Sequence, residues 1–446
     1  MQHIRNAVQQ FLKTQPPARI IAIGFALLIL CGAALLMLPF SVHPGVHITP
    51  LDALFTSTSA VCVTGLVVVD TGDTFSLFGQ LVIAVLIQIG GLGVASIGMG
   101  LALVTGRRIS LKGRSLVREA LNVENLNGMV KLVRAVLLMT VLCEAAGAVL
   151  SFPAFARDHM PLRAVWLSIF HSIASFNNAG FDALGGGTSL IPYRDDLLLN
   201  IVTDALVIVG GIGFLTWDDV CTHRLHLRRY RMQSKAILGA TALLIVLPTI
   251  LFFLTDFAAL PTGERVLASL FQAVTPRTAG YNTADLTKMG DTSQAVTILL
   301  MLTGGAPGST AGGMKVTTLA VLAANAAAVF HRREEPQLFG RRLEDSAVKN
   351  AAAILLLYLG LTFAGAAVIS AAEGLPLGVC LYETASAAGT VGLTLGLTPQ
   401  LGTLSQGILI LLMFFGRVGG LTLIYAAFSG HDLTCTRCPK EKITVG

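Results

Sequence analysis

Eight apolar stretches run through the chain, near residues 20–40, 76–104, 132–155, 197–217, 236–258, 294–330, 351–372 and 404–428. A helix needs ~20 predominantly apolar residues to cross a bilayer, and each stretch is near that length or longer. The fold class expected is an all-α polytopic membrane protein. Composition agrees: 54% of the 446 residues are hydrophobic and 13% charged, against roughly 25% charged in an average soluble protein. The mean hydropathy is +0.73. Such a chain has too little polar sequence to cover a soluble core, which excludes a soluble enzyme, a disordered chain and a collagen-like fibre. The run 20–40 is 21 residues long. A signal peptide's apolar region is about 7–15, so this run reads as the first span.

The net charge of +6 is explained by topology. Of 31 Lys and Arg, 3 lie in 1–20, 7 in 105–134, 5 in 222–235, 5 in 331–349 and 3 in 431–446. These segments alternate with the spans, so the positive-inside rule places them and both termini in the cytoplasm of a cell membrane. Nucleic acid binding is not needed to account for the charge. The seven Cys (31, 62, 143, 221, 380, 435 and 438) are scattered mostly through apolar sequence, which is no disulfide framework.

The connections on the other side of the membrane share an internal pattern. Each holds a half-length apolar stretch: LDALFTSTSAV (51–61), VWLSIFHSIASF (165–176), RVLASLFQAVT (265–275) and LGVCLYETASA (377–387). At 1.5 Å per residue such helices reach about 16–18 Å, short of a core of about 30 Å, so they read as re-entrant half-helices. A Gly tetrad follows each one. The four are Val63-Thr64-Gly65-Leu66, Asn178-Ala179-Gly180-Phe181, Thr278-Ala279-Gly280-Tyr281 and Thr390-Val391-Gly392-Leu393. The tetrad glycines are 115, 100 and 112 residues apart. A Gly pair follows each at an offset of 25, 30, 24 and 27: Gly90-Gly91, Gly210-Gly211, Gly304-Gly305 and Gly419-Gly420. Pairs 1, 2 and 4 read as helix-packing sites.

This register predicts four helix–pore loop–helix repeats around one pore, divided as 1–118, 119–231, 232–340 and 341–446. Non-helical backbone at membrane depth is tolerated only against protein or a water-filled cavity. Four such turns around one axis can present carbonyl oxygens that replace a cation's hydration shell. Half-helices ending at the cavity add the negative ends of their dipoles.

The segments TSTSAVCVTGL, SIASFNNAGF, VTPRTAGYN and TASAAGTVGLT resemble the filters of the Trk/Ktr/HKT potassium transporter superfamily. The resemblance extends to QIGGLG and to the C-terminal PKEKITVG, and eight spans without an extra N-terminal pair are most similar to the Ktr-type membrane subunit. It implies a potassium-channel-like fold with one filter Gly per repeat. It implies potassium uptake at the filter carbonyls, a homodimer with one pore per subunit, and a separate cytosolic nucleotide-binding RCK ring as regulator. Ser in the first tetrad would imply sodium, whereas Gly65 favours potassium. The tetrads lack the full TVGYG, so a sodium-permeable or sodium-coupled secondary transporter stays open as the alternative, as does sodium dependence. No covalent cofactor is implied. GGLGVASIG lies inside a span without an acidic ribose ligand after it, so the ring's nucleotide site is not in this chain.

The sixth span is interrupted by TGGAPGSTAGGMK, residues 303–315, with five Gly and one Pro. That composition cannot continue a helix. The resemblance makes it an intramembrane gating loop of Gly304, Gly305, Ala306, Pro307, Gly308, Ser309, Thr310, Ala311, Gly312 and Gly313; a kinked helix is the alternative. Lys315 could help the gate or extend to the cytoplasmic face. Arg417 sits within LILLMFFGRVGGLTL, where a charge costs about 2.5–3.5 kcal/mol on insertion scales. It is expected to bind carbonyls of the 303–313 loop, or else to pair with Asp204 or Glu144. His171 and Glu383 could orient filters or simply pack. Glu144, Gln88 and Asn325 read as interhelical contacts. Asp70-Thr71-Gly72 echoes an aspartic protease but has no second copy. Cys435 and Cys438 supply two of the four ligands zinc needs.

Overall fold

The structure, a computed structural model, describes residues 15–104, 111–120, 129–224, 226–420, 422–424 and 441. The Cys435/Cys438 pair and nearly all of PKEKITVG lie outside these residues.

Helix α1 (Pro17–Leu36) begins with Pro in its first turn, where no intrahelical N–H is lost. The half-helix α2 (Pro50–Cys62) starts at a capping box: Asp52 N donates to Thr49 Oγ1 at 3.1 Å and Thr49 N to Asp52 Oδ2 at 2.9 Å. Helices α3 (Leu77–Leu92) and α4 (Val94–Val104) complete the first repeat and α5 (Leu111–Ala120) follows. The second repeat holds α6 (Met129–Asp158), α7 (Pro161–Phe176), α8 (Leu197–Gly211) and α9 (Phe214–His223). The third holds α10 (Met232–Leu254), α11 (Thr262–Val274), α12 (Asp291–Leu302) and α13 (Val316–Phe330). A two-residue hairpin, β1 (Gln337–Leu338) with β2 (Arg341–Arg342), precedes α14 (Asp345–Glu373), α15 (Leu377–Gly389) and α16 (Thr403–Val418).

The half-helices α2, α7, α11 and α15 lie where the sequence puts them, with α7 starting four residues earlier, at Pro161. Each packs against its own outer helix, α1, α6, α10 or α14. The inner helices then link the repeats in a closed circuit: α3 packs on α7, α8 on α11, α12 on α15 and α16 on α2. Small residues permit the approach of outer to pore helices. A Cβ on Gly32 would meet Leu86 and the Ser57 hydroxyl, and one on Gly147 would meet Leu206 and the Ser172 hydroxyl.

The spans differ from the expectation in one respect. Only the sixth was expected to break, yet all four inner helices do. The first helix of each repeat is continuous and long enough to cross a membrane: Pro17–Leu36, Val130–Asp158, Met232–Leu254 and Asp345–Glu373. The pair α3–α4 bends by 100° and α8–α9 by 101°. The third repeat breaks at the loop 303–315, and α16 ends at Gly419. Gly93, Gly213 and Gly419 stand at φ +82°, +86° and +92°, a region that side chains obstruct. Apolar residues continue on both sides of these breaks, so hydropathy alone does not mark them.

Candidate functional site: a ring of four glycine turns over an intramembrane loop

A residue with positive φ stands two positions before each tetrad Gly: Val63 (57°), Asn178 (58°), Thr278 (75°) and Thr390 (53°), of which Val63 and Thr390 directly cap their pore helices. The glycines Gly65, Gly180, Gly280 and Gly392 are positive too, at 89°, 66°, 80° and 96°. Three of the four non-Gly residues are β-branched, for which this region is an outlier. Strain of this kind costs about 1–3 kcal/mol per residue and persists where surrounding contacts fix it.

Those contacts come from the ends of the pore helices. In repeat 1, Thr64 N donates to Ser59 O at 2.8 Å and Gly65 N to Ser59 Oγ at 3.0 Å. Repeat 4 repeats the pair: Val391 N donates to Ser386 O at 2.8 Å and Gly392 N to Ser386 Oγ at 3.0 Å. In repeat 2, Ala179 N donates to Ala174 O at 2.8 Å, and in repeat 3, Ala279 N donates to Thr275 O at 2.9 Å. In a trans peptide the carbonyl points away from the N–H of the same plane. With the N–H groups turned back to the pore helices, the carbonyls of Val63, Thr64, Asn178, Thr278, Thr390 and Val391 turn the other way.

The tetrads of neighbouring repeats meet Gly against carbonyl. A Cβ on Gly65 would lie 2.5 Å from Ala179 O and 3.0 Å from Gly180 Cα. One on Gly180 would lie 2.7 Å from Ala279 O and 3.0 Å from Gly280 Cα. One on Gly280 would fall on Val391 O and lie 3.2 Å from Gly392 Cα, and one on Gly392 would fall on Thr64 O and lie 3.0 Å from Gly65 Cα. The glycines therefore form a closed ring in chain order, each against the carbonyl that precedes the next repeat's Gly. No side chain fits between them.

The loop 303–315 lies against the base of this ring. Thr310 Oγ1 donates to Phe176 O at 3.0 Å, and a Cβ on Gly312 would meet the Thr390 side chain, 3.0 Å from its Cβ. The second, third and fourth repeats all contribute to its fixation. Ala306 N and Thr310 N donate to Gly211 O and Gly210 O at 2.8 and 3.2 Å, and Phe214 N returns a bond to Gly308 O at 2.8 Å. Gly304 N donates to Met314 O at 2.8 Å, Val316 N to Gly305 O at 3.0 Å and Gly313 N to Gly416 O at 3.1 Å. Ser309 Oγ donates to Ala306 O at 2.6 Å, folding the turn over Pro307.

Arg417 donates to Thr310 O, and also to Gly90 O and Gly91 O at 2.6 and 2.8 Å. Neither Asp204 nor Glu144 is among its hydrogen-bond partners. Lys315 Nζ donates to Ala311 O at 2.7 Å and to Gly312 O at 3.3 Å, so its amine turns back on the loop. A cavity of about 380 Å³ lies on the far side of the loop from the ring, with Ser309, Gly313, Lys315, Asn350, Tyr358 and Arg417 among its lining.

The Gly pairs need one correction. Gly90 packs on the backbone of Val61, Gly91 on the Asn177 side chain and Gly210 on Phe176 O, as packing positions. In repeat 4 that place is taken by Gly416, where a Cβ would meet Ala388 O and lie 2.8 Å from Thr390 Cγ2, while Gly419 forms the helix break. Glu383 binds the segment after its own filter, and His171 Nε2 lies 2.9 Å from Thr203 Oγ1. Asn177 Nδ2 bridges Gln88 Oε1 at 2.9 Å and Glu144 Oε1 at 3.0 Å. Asp70 and Asp73 accept from Gly187 N and Gly186 N, both at 2.8 Å, which makes the protease-like triplet a clasp between loops. Ser59 and Ser386 hold two of the four filter turns, a role that no sequence motif above assigns to them. Their common place six residues before a tetrad Gly was the available signal.

The sequence matches the TrkH family of cation transport proteins over residues 5–258 and 232–432. It is 38% identical to the potassium/sodium uptake protein NtpJ of Enterococcus hirae, over 97% of this chain and 98% of that one. It is 36% identical to the Ktr system potassium uptake protein B of Bacillus subtilis, over 99% of each. The crystal structure of the potassium transporter TrkH from Vibrio parahaemolyticus superposes with a TM-score of 0.73 at 20% identity, covering 92% of this chain and 85% of that one. The four-repeat pore fold and the full-length similarity together make the chain a member of the TrkH cation transport protein family.

Proposed function

We propose that this chain carries potassium into the cell through the axis of the glycine ring. The observation that supports this best is the closed circuit Gly65–Gly180–Gly280–Gly392, each Gly against a backbone carbonyl of the next tetrad with no room for a side chain between them. Such oxygens exchange with a cation's hydration shell, and the C-terminal ends of four pore helices add negative potential. The filter comprises Val63, Thr64, Gly65, Asn178, Ala179, Gly180, Thr278, Ala279, Gly280, Thr390, Val391 and Gly392. In the sequence the basic segments alternate with the loops that carry the filter, so the positive-inside rule has ions meet the filter from outside the cell. The membrane potential drives entry with about 2.3 kcal/mol per charge per 100 mV.

The loop 304–313, with Lys315 and Arg417, is the gate. It lies across the base of the ring and places two cationic side chains below a cation path. Its composition, with five Gly in thirteen residues, lets it rearrange without the cost of unpacking large side chains. Two copies form a dimer, and a separate cytosolic RCK-type ring acts through the basic segments. The names of the relatives, potassium or potassium/sodium uptake proteins, agree with this reading.

The test is uptake of rubidium and sodium by proteoliposomes containing wild type, Gly280→Asp, or a chain lacking 305–312. The proposal expects rubidium preference in wild type, loss in Gly280→Asp and faster uptake in the deletion. A folded Gly280→Asp protein that transports like wild type overturns it.

A further inference from the structure

Glu383 is the one fully buried carboxylate in the four pore helices; Asp52 and Glu264, in the first turns of α2 and α11, are partly exposed. No ion pair among the described residues includes it. All its hydrogen bonds come from the chain that leaves the fourth filter. Its Oε1 accepts from Thr394 Oγ1 at 2.5 Å and from Leu395 N at 3.1 Å, and its Oε2 accepts from Thr398 Oγ1 at 2.7 Å. Thr394 Oγ1 accepts in turn from Gly396 N at 2.9 Å.

The fourth filter segment is thus held at both ends by one helix. Ser386 fixes the N–H groups of Val391 and Gly392 on the approach, and Glu383 fixes 394–398 on the return. The carbonyls of Thr390 and Val391 share the peptide planes that Ser386 fixes, and the Glu383 anchor holds the chain that follows directly after them. The place nine residues before the tetrad Gly is filled differently elsewhere, by Thr56, His171 and Phe271. Thr56 Oγ1 is buried without a partner, and His171 bonds to Thr203 on α8 and approaches Ser175 on its own helix. Neither reaches its own return segment. Among the described residues, the fourth return segment alone hangs on a buried carboxylate of its own pore helix, and it occupies a tight place in the ring: Val391 O is the atom a Cβ on Gly280 would strike.

We propose that Glu383 is a positioning residue that fixes the Thr390 and Val391 carbonyls, and through them sets the discrimination of the ring between alkali cations of different size. A ring of carbonyls discriminates by how far its oxygens can close on a smaller, more strongly hydrated ion. Releasing one of four segments from its return anchor lets that quarter of the ring follow a smaller ion inward. Sodium entry then rises relative to rubidium, while the route itself stays open. The inference rests on the filter reading above and names what holds that filter's fourth quarter.

The experiment compares rubidium and sodium uptake by proteoliposomes, with the melting temperature of each purified variant as a check on folding. The expected result is a rubidium-to-sodium ratio at least fivefold lower in Glu383→Ala, with total cation uptake retained. Thr394→Val and Thr398→Val, which remove single donors at nearly constant volume, are expected to lower the ratio by smaller factors. Glu383→Gln is expected to hold the ratio within about twofold of wild type, since its carboxamide oxygen replaces Oε1 and its nitrogen can donate to Thr398 Oγ1. A merely structural glutamate would lower the melting temperature in these variants and leave the ratio alone, and that result overturns the proposal. Should Glu383→Ala not fold, unchanged ratios in both threonine variants overturn it equally. A wild-type protein without rubidium preference overturns the filter reading instead, and this inference with it.

Discussion

Arg417 donates to the carbonyl of Thr310, 107 residues earlier in the chain. The same guanidinium holds Gly90 and Gly91 of the first repeat. One side chain from the fourth repeat therefore ties the loop of the third repeat to the inner helix of the first. Arg417→Gln removes the charge and most of this fork. The expected outcome is several-fold faster rubidium uptake at an unchanged rubidium-to-sodium ratio, since the ring is untouched. Arg417→Lys keeps the charge but cannot reach three carbonyls at once, so an intermediate rate is expected. Uptake that falls in a folded Arg417→Gln protein means the loop is not the barrier.

Gly392→Ala puts a methyl group on Thr64 O at a φ of +96°. A left-handed conformation alone costs a non-Gly residue roughly 1–2 kcal/mol, and the neighbouring backbone has no room to yield. The expected result is at least tenfold slower rubidium uptake together with a lower melting temperature. Gly186→Ala is the control: its φ is +75°, but nothing lies within 4 Å of the added carbon. It is expected to lose stability and keep rubidium preference. Equal loss of preference in both variants would show that the ring has no special place in conduction.

Asp182 follows the second filter, in the loop clasped by Asp70 and Asp73. Burial first, and then those two carboxylates, push its carboxyl up to about 6. The ordinary value for Asp is ~3.9, so the folded protein holds this proton more tightly than the unfolded chain. The stability it contributes is fully present below about pH 4 and is lost as pH rises through about 6. A shift of this size is worth at most about 3 kcal/mol. Asp182→Asn is therefore expected to melt above wild type at pH 8, with the gap closing as pH falls to 4. A gap that does not change with pH contradicts this assignment.

The parts of the site legible in the sequence are those encoded locally. A Gly after a half-length helix, or five Gly and a Pro between apolar runs, means the same thing whatever surrounds it, so the four tetrads and the loop 303–315 lie where the residues put them. The break at Gly93 was not legible, because Leu92 and Val94 are as apolar as a continuous helix requires and only a positive φ distinguishes them. The circuit of inner helices on neighbouring pore helices joins residues far apart in the chain, such as Gln80 on α3 and Trp166 on α7, 86 positions apart. No local pattern reports such pairing. Arg417 could be placed in the membrane from sequence, but the choice among Thr310, Asp204 and Glu144 needed the fold. Glu383 could be placed in a pore helix, but its partners at 394–398 follow from the path of the chain after the filter turns.

The central claim is that the four glycines surround a cation. The most direct measurement is a crystal of the protein grown in rubidium in place of potassium, with anomalous scattering recorded at the rubidium edge. An anomalous peak is expected on the axis between Gly65, Gly180, Gly280 and Gly392, within coordination distance of the carbonyls of the preceding residues, and is expected to vanish when sodium replaces rubidium. A well-ordered ring with no peak on that axis would contradict it.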